Sequence, residues 1–296
     1  MTRQTMIAGA AVAFLAAVIA SGTVGAQSTG IQADAQQGKQ LYGKYCARCH
    51  GAAGRGDGAD AKKLGFFPRD FTLGAYKCRC TPTGELPTDA DLFRTVTRGL
   101  PGTPMPAHGK EMSDLERWAV VKYVKSLSPA FKNGNRATCA AAPAAPAEAA
   151  ELVADGKALY RLMQCDKCHG RSGRGDGPAA ASLKDDWGRP IKAYNFVAIR
   201  SFKCGNDDAD LFRTLQTGLT GSPMPSYASA LAFPRDLFTP AVLQAYGPPA
   251  DVKELTDYLA HQPDQAALGT MSAADRQILS ERRTWALVQH LRSLFR

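Results

Sequence analysis

The sequence has no long uncharged apolar run beyond its N-terminus. Met6 to Ala20 is the one extended apolar stretch, and it is shorter than the roughly 20 residues that a membrane-spanning helix needs. Arg3 precedes this stretch and the small residues Val24-Gly25-Ala26 follow it, which is the order of a secretory signal. We expect residues 1–26 to be cleaved on export to the periplasm, leaving no transmembrane segment. An uncleaved N-terminal anchor is the alternative.

The sequence also lacks a dense block of lysine and arginine. Its formal net charge is +9, but the 36 basic residues are spread over 296 positions. For an exported chain of this kind we expect no nucleic-acid partner. The scattered positive charge is expected to form a solvated surface that attracts anionic partners.

Two short motifs carry the chemistry, one at residues 46–50 (CARCH) and the other at residues 165–169 (CDKCH). Two thiols three positions apart, followed at once by histidine, form the pattern of c-type haem attachment. On one helical turn, both sulfurs can bond to a haem while the imidazole binds its iron. A single copy would also fit half a zinc site or a thioredoxin-like dithiol, but two copies in matched surroundings favour haem. The expected cofactors are two covalently bound haem c groups, held by Cys46, Cys49 and His50 and by Cys165, Cys168 and His169.

The surroundings of both motifs repeat at an offset of 119 residues. The pentad GRGDG occurs at residues 54–58 and again at residues 173–177. Neither copy lies between a predicted strand and a helix with a following lysine, so a phosphate-binding loop is not indicated. A tight turn around the haem edge is favoured instead. Arg55 and Arg174 then either pair with a haem propionate or are solvated.

The strongest internal match is DADLFRT, which occurs at residues 89–95 and 208–214. Each copy predicts a short helix, with Asp89 or Asp208 as its N-cap. These helices are expected to lead into the segments that complete the two haem sites.

Each repeat contains a methionine between two prolines. Met105 lies in Pro-Met-Pro at residues 104–106, and Met224 lies in the same tripeptide at residues 223–225. Proline on both sides keeps such a segment extended and rigid. Most methionines fill gaps in a core, but here both copies lie 55 residues after the motif histidine. We therefore predict Met105 and Met224 as the distal iron ligands, and the local competitors are Met112, Met163, His108 and His261.

Each half closes with a helix, which in the first half opens at a capping box at residues 113–116. Its residues 118–127 match residues 285–294 of the second half, where the offset grows to 167 residues. The second half therefore holds about 48 extra residues, an insertion near residues 227–271 with a helix around residues 251–261. The sequence leaves open whether it covers a haem edge, makes a subunit contact or forms a substrate site. Before each CxxCH motif, an amphipathic helix is predicted, with Gly38 and Tyr42 on its face in the first copy and Gly156 and Tyr160 in the second.

The predicted domain order is a first domain at residues 27–132, a linker at residues 133–150 and a second domain at residues 151–296. The linker is rich in alanine and includes proline, which indicates an extended, semi-rigid segment.

Four cysteines lie outside the CxxCH motifs: Cys78, Cys80, Cys139 and Cys204. In an oxidising compartment an even number suggests two disulfides, for which three pairings are possible. Cys78 and Cys204 occupy similar places, each preceded by lysine, so pseudo-twofold packing would pair them and leave Cys80 with Cys139. The alternatives are that one thiolate ligates a haem or that a Cys-x-Cys pair binds zinc.

Taken together, these motifs resemble two fused class I cytochrome c domains. The resemblance implies a mainly α fold in which the helix ending in CxxCH packs against an aromatic-bearing C-terminal helix. The distal methionine is then expected on the loop between them. In general layout the chain also resembles the iron-oxidising cytochromes of phototrophic bacteria.

The leading hypothesis is a periplasmic dihaem cytochrome that transfers single electrons through two His/Met-ligated haems. Its expected partners are redox proteins or a small reductant such as Fe(II). Three enzymes are alternatives: an Fe(II) oxidase, a thiosulfate-type dehydrogenase with a Cys ligand and a cationic pocket, and a dihaem peroxidase.

Overall fold

The computed structural model describes residues 34–132, 138–147 and 149–295. Within these residues there are helices and turns but no β-strand, so the prediction of a mainly α fold is confirmed. No helix in this part of the chain is long and apolar enough to cross a membrane. The predicted signal at residues 1–26 lies outside the described residues.

The helices fall into two groups that repeat the same order. The first group is α1 (Ala35–Tyr45), α2 (Ala47–His50), α3 (Asp89–Arg98) and α4 (Asp114–Ser126). The second group is α5 (Ala150–Leu162), α6 (Cys165–His169), α7 (Phe196–Ile199), α8 (Asp208–Thr217), α9 (Pro240–Gln244), α10 (Pro249–Ala260), α11 (Gln265–Thr270) and α12 (Ala273–Ser293). Short 3-10 turns lie at Ala61–Lys63, Phe71–Leu73, Pro129–Phe131, Ala180–Ser182 and Arg235–Leu237. Each group surrounds its own buried core, and the domain boundaries given above stay a prediction.

Both halves depend on a very close helix crossing at a glycine. A Cβ atom built on Gly38 of α1 would lie 2.0 Å from the carbonyl oxygen of Ala119 in α4. One built on Gly156 of α5 would lie 2.0 Å from the carbonyl oxygen of Ala286 in α12. Because any side chain would separate the backbones, glycine is required at both crossings. The helix that precedes each CxxCH motif, α1 or α5, is thereby held against the last helix of its half.

The N-caps of α3 and α8 lie one residue before the predicted ones. Thr88 caps α3: its hydroxyl accepts the N–H of Asp91, and the carboxylate of Asp91 accepts the N–H of Thr88. Asp207 is the N-cap residue of α8. The predicted caps, Asp89 and Asp208, are instead the first helical residues, where a negative charge still favours the helix N-terminus.

The two halves are joined by buried polar contacts. Arg79 is almost fully buried and donates to the carbonyl oxygens of Thr217 (3.0 Å) and Gly218 (3.4 Å) at the end of α8. Arg94 of α3 donates to the carboxylate of Asp210 in α8 at 2.9 Å. Separating the halves would remove both acceptors of the buried Arg79 and one of the two carboxylates that pair with Arg94, which also pairs with Asp91, so these contacts oppose separation.

Residues 138–147 of the predicted linker contain no helix, and the beginning of this segment is fixed to both halves. Cys139 forms a disulfide with Cys80. The N–H of Ala140 donates to the carbonyl of Cys80 at 2.7 Å, and its carbonyl accepts from Arg213 at 3.2 Å. The segment is therefore a strap rather than a free spacer.

The insertion packs against the back of α5. Helix α10, predicted around residues 251–261, contributes the buried side chains of Leu255 and Leu259 to the second core. Its Glu254 pairs with Lys157 of α5 at 2.8 Å. The insertion thus enlarges the core of the second half on the side of α5.

Replacing Gly38 by alanine is expected to lower the free energy of unfolding by about 1–3 kcal/mol, because the new Cβ forces α1 away from α4. Gly43 provides a matched control on the same helix, since nothing lies within 4 Å of a Cβ built there. Gly43→Ala should be neutral or stabilise by about 0.5–1 kcal/mol. Urea unfolding measures both values, and equal effects of the two substitutions would contradict the close crossing.

His290 of α12 is expected to make the second half sensitive to acid. Its ring packs against Tyr160, with ring centroids 5.2 Å apart. Burial, aided by Lys157 and opposed by Glu254, lowers the pKa of His290 to about 4. Because the folded pKa is below the unfolded value, stability present above about pH 6.5 is lost as the pH falls towards 4.

Tyr123 occupies the position of His290 in the first half, so His290→Tyr tests this acid sensitivity directly. The wild type should lose roughly 3 kcal/mol of stability between about pH 6.5 and 4 through this group. The variant should not. Urea midpoints measured across that range give the comparison, and two parallel pH profiles would show that His290 is not the acid-sensitive group.

Candidate functional site

The first CxxCH motif and the first Pro-Met-Pro segment line one cavity of about 210 Å³, which we name the first cavity. Cys46, Cys49 and His50 reach it from α2 and the residue before it. Met105 reaches it from the loop after α3. Two thiols, an imidazole and a thioether thus meet in one largely apolar space.

The second cavity, of about 170 Å³, repeats this arrangement in the other half. Cys165, Cys168 and His169 line it from α6, and Met224 lines it from the loop after α8. The structure therefore brings together all eight residues that the sequence assigned to two sites. Helices α9, α10 and α11 of the insertion contribute no lining residue to this cavity.

His50 is oriented by a hydrogen bond to the main chain. Its Nδ1 lies 3.0 Å from the carbonyl oxygen of Arg69, and because a carbonyl can only accept, Nδ1 carries the proton. Phe71 stacks on the ring with centroids 4.4 Å apart. Burial lowers the pKa of His50, which favours the neutral imidazole. Nε2 is left with the lone pair that an iron ligand needs.

His169 is held in the same way. Its Nδ1 lies 3.2 Å from the carbonyl oxygen of Tyr194, and Phe196 stacks on its ring at 4.7 Å. Burial lowers the pKa of His169 as well. Both histidines therefore donate one ring N–H to a main-chain carbonyl, as metal-binding histidines commonly do.

A tyrosine on the preceding helix fixes the chain directly after each histidine. Tyr42 donates to the carbonyl of Gly51, and Tyr160 donates to the carbonyl of Gly170, both at 2.8 Å. The second half has one more residue between tyrosine and cysteine, and Gln164 accommodates it by adopting a left-handed conformation with φ of 57°. Such a conformation costs a non-glycine residue about 1–2 kcal/mol, and it restores the same hydrogen bond in both halves.

The GRGDG pentads form the predicted tight turns. The N–H of Gly56 donates to the carbonyl of His50, and the N–H of Gly175 donates to that of His169, both at 2.8 Å. Arg55 and Arg174 are exposed and line neither cavity. Of the two possibilities left open for these arginines, the structure favours solvated side chains.

Each methionine loop is closed by a main-chain hydrogen bond just after the helix that precedes it. The N–H of Leu100 donates to the carbonyl of Met105 at 3.1 Å, and the N–H of Leu219 donates to that of Met224 at 3.0 Å. These bonds and the flanking prolines fix each methionine before any ligand is bound.

Of the competing ligands, His108 alone lines the first cavity. Its equivalent in the second half is Tyr227, which lines the second cavity, so a histidine ligand here would lack a counterpart. Met112 is buried in the first core and Met163 packs against the second. His261 is exposed and contacts the carbonyl of Asp257.

Sequence reasoning missed a group of basic side chains between the cavities, which we name the cationic cleft: Arg69, Lys77, Arg189, Lys192 and Lys203. Lys77 and Lys203 line both cavities. Burial first, and then the like charges of Arg69 and Lys203, lower the pKa of Lys77 to about 8. Asp70 and Asp185 also line the cleft, and Asp185 acts in the opposite direction on the pKa of Lys77. The repeated Lys-Cys at residues 77–78 and 203–204 was the sequence feature that could have indicated this cleft.

The chemistry of these residues fits a covalently bound haem c in each cavity. The thiols can bond to the vinyl groups of the haem, and the oriented imidazole and the thioether can bind its iron. The apolar walls of the cavity can pack against its macrocycle. The cations of the cleft suit its propionate carboxylates. The cleft holds five basic side chains and only two carboxylates, Asp70 and Asp185, so a bound carboxylate would offset part of the cost of burying this excess of positive charge.

The remaining cysteines form two disulfides, Cys78 with Cys204 and Cys80 with Cys139. This confirms the pseudo-twofold pairing among the three possibilities. Each of these four sulfur atoms is bonded to another sulfur. This excludes both alternatives, a thiolate ligand of a haem and a zinc site. The cysteine ligand expected for a thiosulfate-type dehydrogenase is therefore not supplied by these four residues.

Comparisons with known proteins place both halves among cytochromes c. Residues 33–124 match the family described as cytochrome c oxidase, cbb3-type, subunit III, and residues 153–263 match cytochrome c. The cbb3-type cytochrome c oxidase subunit CcoP of Azospirillum sp. (strain B510) is 30% identical over 206 residues, 66% of this chain. The chain matches only 56% of the length of that relative.

A solved structure resembles nearly the whole chain. It is the Kuenenia stuttgartiensis reducing HAO-like protein complex Kustc0457/Kustc0458, with a TM-score of 0.68 and 33% sequence identity. The similarity covers 88% of this chain and 96% of the matched chain. Two cytochrome c domains in tandem are thereby shown.

Lys77→Gln is expected to lower the midpoint potentials of both haems, because losing a nearby positive charge disfavours the additional electron. Coulomb's law at an effective dielectric of about 20 gives an effect of order 1 kcal/mol per haem. Arg55→Gln removes the same charge from an exposed position and should change neither potential. Spectroelectrochemical titration well below pH 8 makes the comparison, and equal shifts in the two variants would contradict a special role of the cleft.

Proposed function

The chain belongs to the c-type cytochromes and carries two covalently bound haem c groups, and we propose that it transfers single electrons in the periplasm. One haem is attached to Cys46 and Cys49 and the other to Cys165 and Cys168. The iron ligands are His50 with Met105 and His169 with Met224. The observation that supports this most strongly is that each cavity joins an oriented, neutral histidine and a rigid methionine loop to a CxxCH motif.

The residues of the two sites favour rapid electron transfer over chemistry at the iron. Each haem supplies a one-electron couple when bound. His50 and His169 are fixed in tautomer and orientation, and Met105 and Met224 are held on stiff loops. Little rearrangement is therefore needed between oxidation states. Methionine also raises the haem potential and fills the position at which peroxide would bind, which argues against a dihaem peroxidase.

The cationic cleft holds the haem propionates in this proposal. Lys77 and Lys203 line both cavities, so one cluster of positive charge acts on both haems. Lys77 and Lys203 would hold propionates of both haems and would favour the reduced state at each site. The haems would supply the one-electron chemistry for transfer within the protein.

A redox protein is the expected partner. Similarity to an oxidase subunit and to a chain of a protein complex supports electron exchange with another protein. The predicted signal at residues 1–26 supports export to the periplasm. We propose that the scattered basic surface guides an acidic redox partner to the molecule.

Oxidation of a small oxyanion, such as thiosulfate, is the second candidate. The cationic cleft favours it, because its five basic side chains outnumber its two carboxylates, Asp70 and Asp185, and attract anions. The same charge repels Fe(II), which makes an Fe(II) oxidase the less favoured alternative. A redox titration with thiosulfate, Fe(II) and peroxide added separately distinguishes these functions: a plain carrier responds catalytically to none of them.

Replacing Met105 or Met224 by alanine should remove one of two methionine-to-iron charge-transfer bands and lower one midpoint potential. Loss of the thioether opens the sixth position and removes the ligand that stabilises the reduced iron. Visible spectra and potentiometry of the holoprotein measure both effects. If neither substitution changes the spectrum, the distal assignment is wrong.

His108→Tyr is the matched control for the first site, since the second half has Tyr227 at this position. If Met105 is the ligand, this substitution leaves both bands in place. If His108 were the ligand instead, only one methionine-to-iron band would be present before any substitution, Met105→Ala would leave that band unchanged, and His108→Tyr would change the potential of the first haem.

A further inference from the structure

Two residues that orient a histidine in one half also reach the methionine loop of the other half. The carbonyl of Tyr194 accepts the hydrogen bond from His169, while its phenol group extends across to the first half. The carbonyl of Arg69 accepts from His50, while its guanidinium group extends to the second half. The side chains of Tyr194 and Arg69 therefore extend between the halves in opposite directions, and we call each of them an arm.

The arm of Tyr194 ends on the loop that carries Met105. Its hydroxyl donates to the carbonyl of Pro101 at 3.0 Å. The next residue, Gly102, lies so close that a Cβ built on it would be 3.1 Å from Tyr194 Cε2 and 2.4 Å from Ile199 Cδ1. Gly102 has a φ of +71°, so a glycine meets both the steric and the conformational demand here. The turn that leads to Met105 is therefore fixed by the second half.

The arm of Arg69 ends on the equivalent turn before Met224. A Cβ built on Gly221 would lie 2.9 Å from Arg69 Nη1 and 2.6 Å from the ring of Trp187. The guanidinium carbon also lies 5.0 Å from the Trp187 ring centroid. This arm makes close contacts rather than a hydrogen bond, so the stronger of the two links is the one through Tyr194.

We propose that Tyr194 is a positioning residue for both haem sites: its carbonyl orients His169, and its hydroxyl holds the turn that presents Met105. The inference rests on the proposed iron ligands. The stability of the bond between Met105 and the first iron thus depends on Tyr194, a side chain of the second half. A change in the segment that holds His169 is thereby transmitted to the distal side of the other iron.

The hydroxyl is the part of Tyr194 that can be tested without disturbing the rest. Tyr194→Phe keeps the ring against Gly102 and leaves the main-chain carbonyl at His169 unchanged. It removes the single hydrogen bond to Pro101. One net hydrogen bond corresponds to about a fivefold change in an equilibrium constant, so the Met105 loop should leave the iron about fivefold more readily.

The measurement is a titration of the oxidised holoprotein with imidazole, which competes with methionine for the iron. In a Met224→His background the remaining methionine-to-iron band reports Met105 alone. Adding Tyr194→Phe should raise the apparent imidazole affinity at this site about fivefold. In the reciprocal Met105→His background, where the band reports Met224, Tyr194→Phe should leave the affinity unchanged.

Tyr246→Phe is the matched control, because Tyr246 also donates its hydroxyl to a main-chain carbonyl, that of Leu162, at 3.3 Å. That bond lies within the second half, so its loss should not change imidazole binding at the first site. An unchanged affinity in the Tyr194→Phe variant, or an equal change at both haems, would overturn the inference while the ligand assignment stands. If the Met224→His protein has no methionine band, the proposed function itself fails.

Discussion

A hydrogen bond from an imidazole N–H to a main-chain carbonyl organises each half of the molecule. It decides which nitrogen of His50 and of His169 carries the proton, and hence which nitrogen can bind iron. The acceptor must be presented at a fixed place, so the segment containing Arg69 or Tyr194 must be folded back against α2 or α6. The glycine turns after each motif and the stacked phenylalanines are the means by which the chain achieves this.

The parts of the site that sequence could predict are those whose chemistry is local. The CxxCH spacing is dictated by the bonds it makes, and the two methionines were identified because rigid flanking prolines and an equal spacing recur in both halves. The crossing glycines, Gly38 and Gly156, appeared in the helical pattern, although nothing in that pattern indicated how closely the backbones approach. The disulfide pairing followed from symmetry, once Cys78 and Cys204 were matched.

The parts that sequence could not predict arise from contacts between the halves. Tyr194 and Pro101 are brought together by packing, and no local pattern relates them. Lys77 and Lys203 were visible as neighbours of cysteine, but their action on both cavities follows from the pseudo-twofold arrangement. The N-cap at Thr88 was missed for a different reason: threonine and aspartate are both good caps, and the choice depends on where the carboxylate of Asp91 lies. The sequence predicted the length of the insertion. Only the structure shows that the insertion packs against α5.

The two disulfides set an order on the assembly of the protein. All eight cysteines can pair in roughly a hundred ways, and haem attachment requires that four of them stay reduced. Cys80 and Cys139 both precede the second CxxCH motif in the chain, so their bridge can close while that motif is still emerging. Cys204 follows Cys168 in the chain, so the bridge to Cys78 can form only after both haem-attachment motifs have been synthesised. The covalent link between the halves therefore cannot close on a chain that lacks either motif.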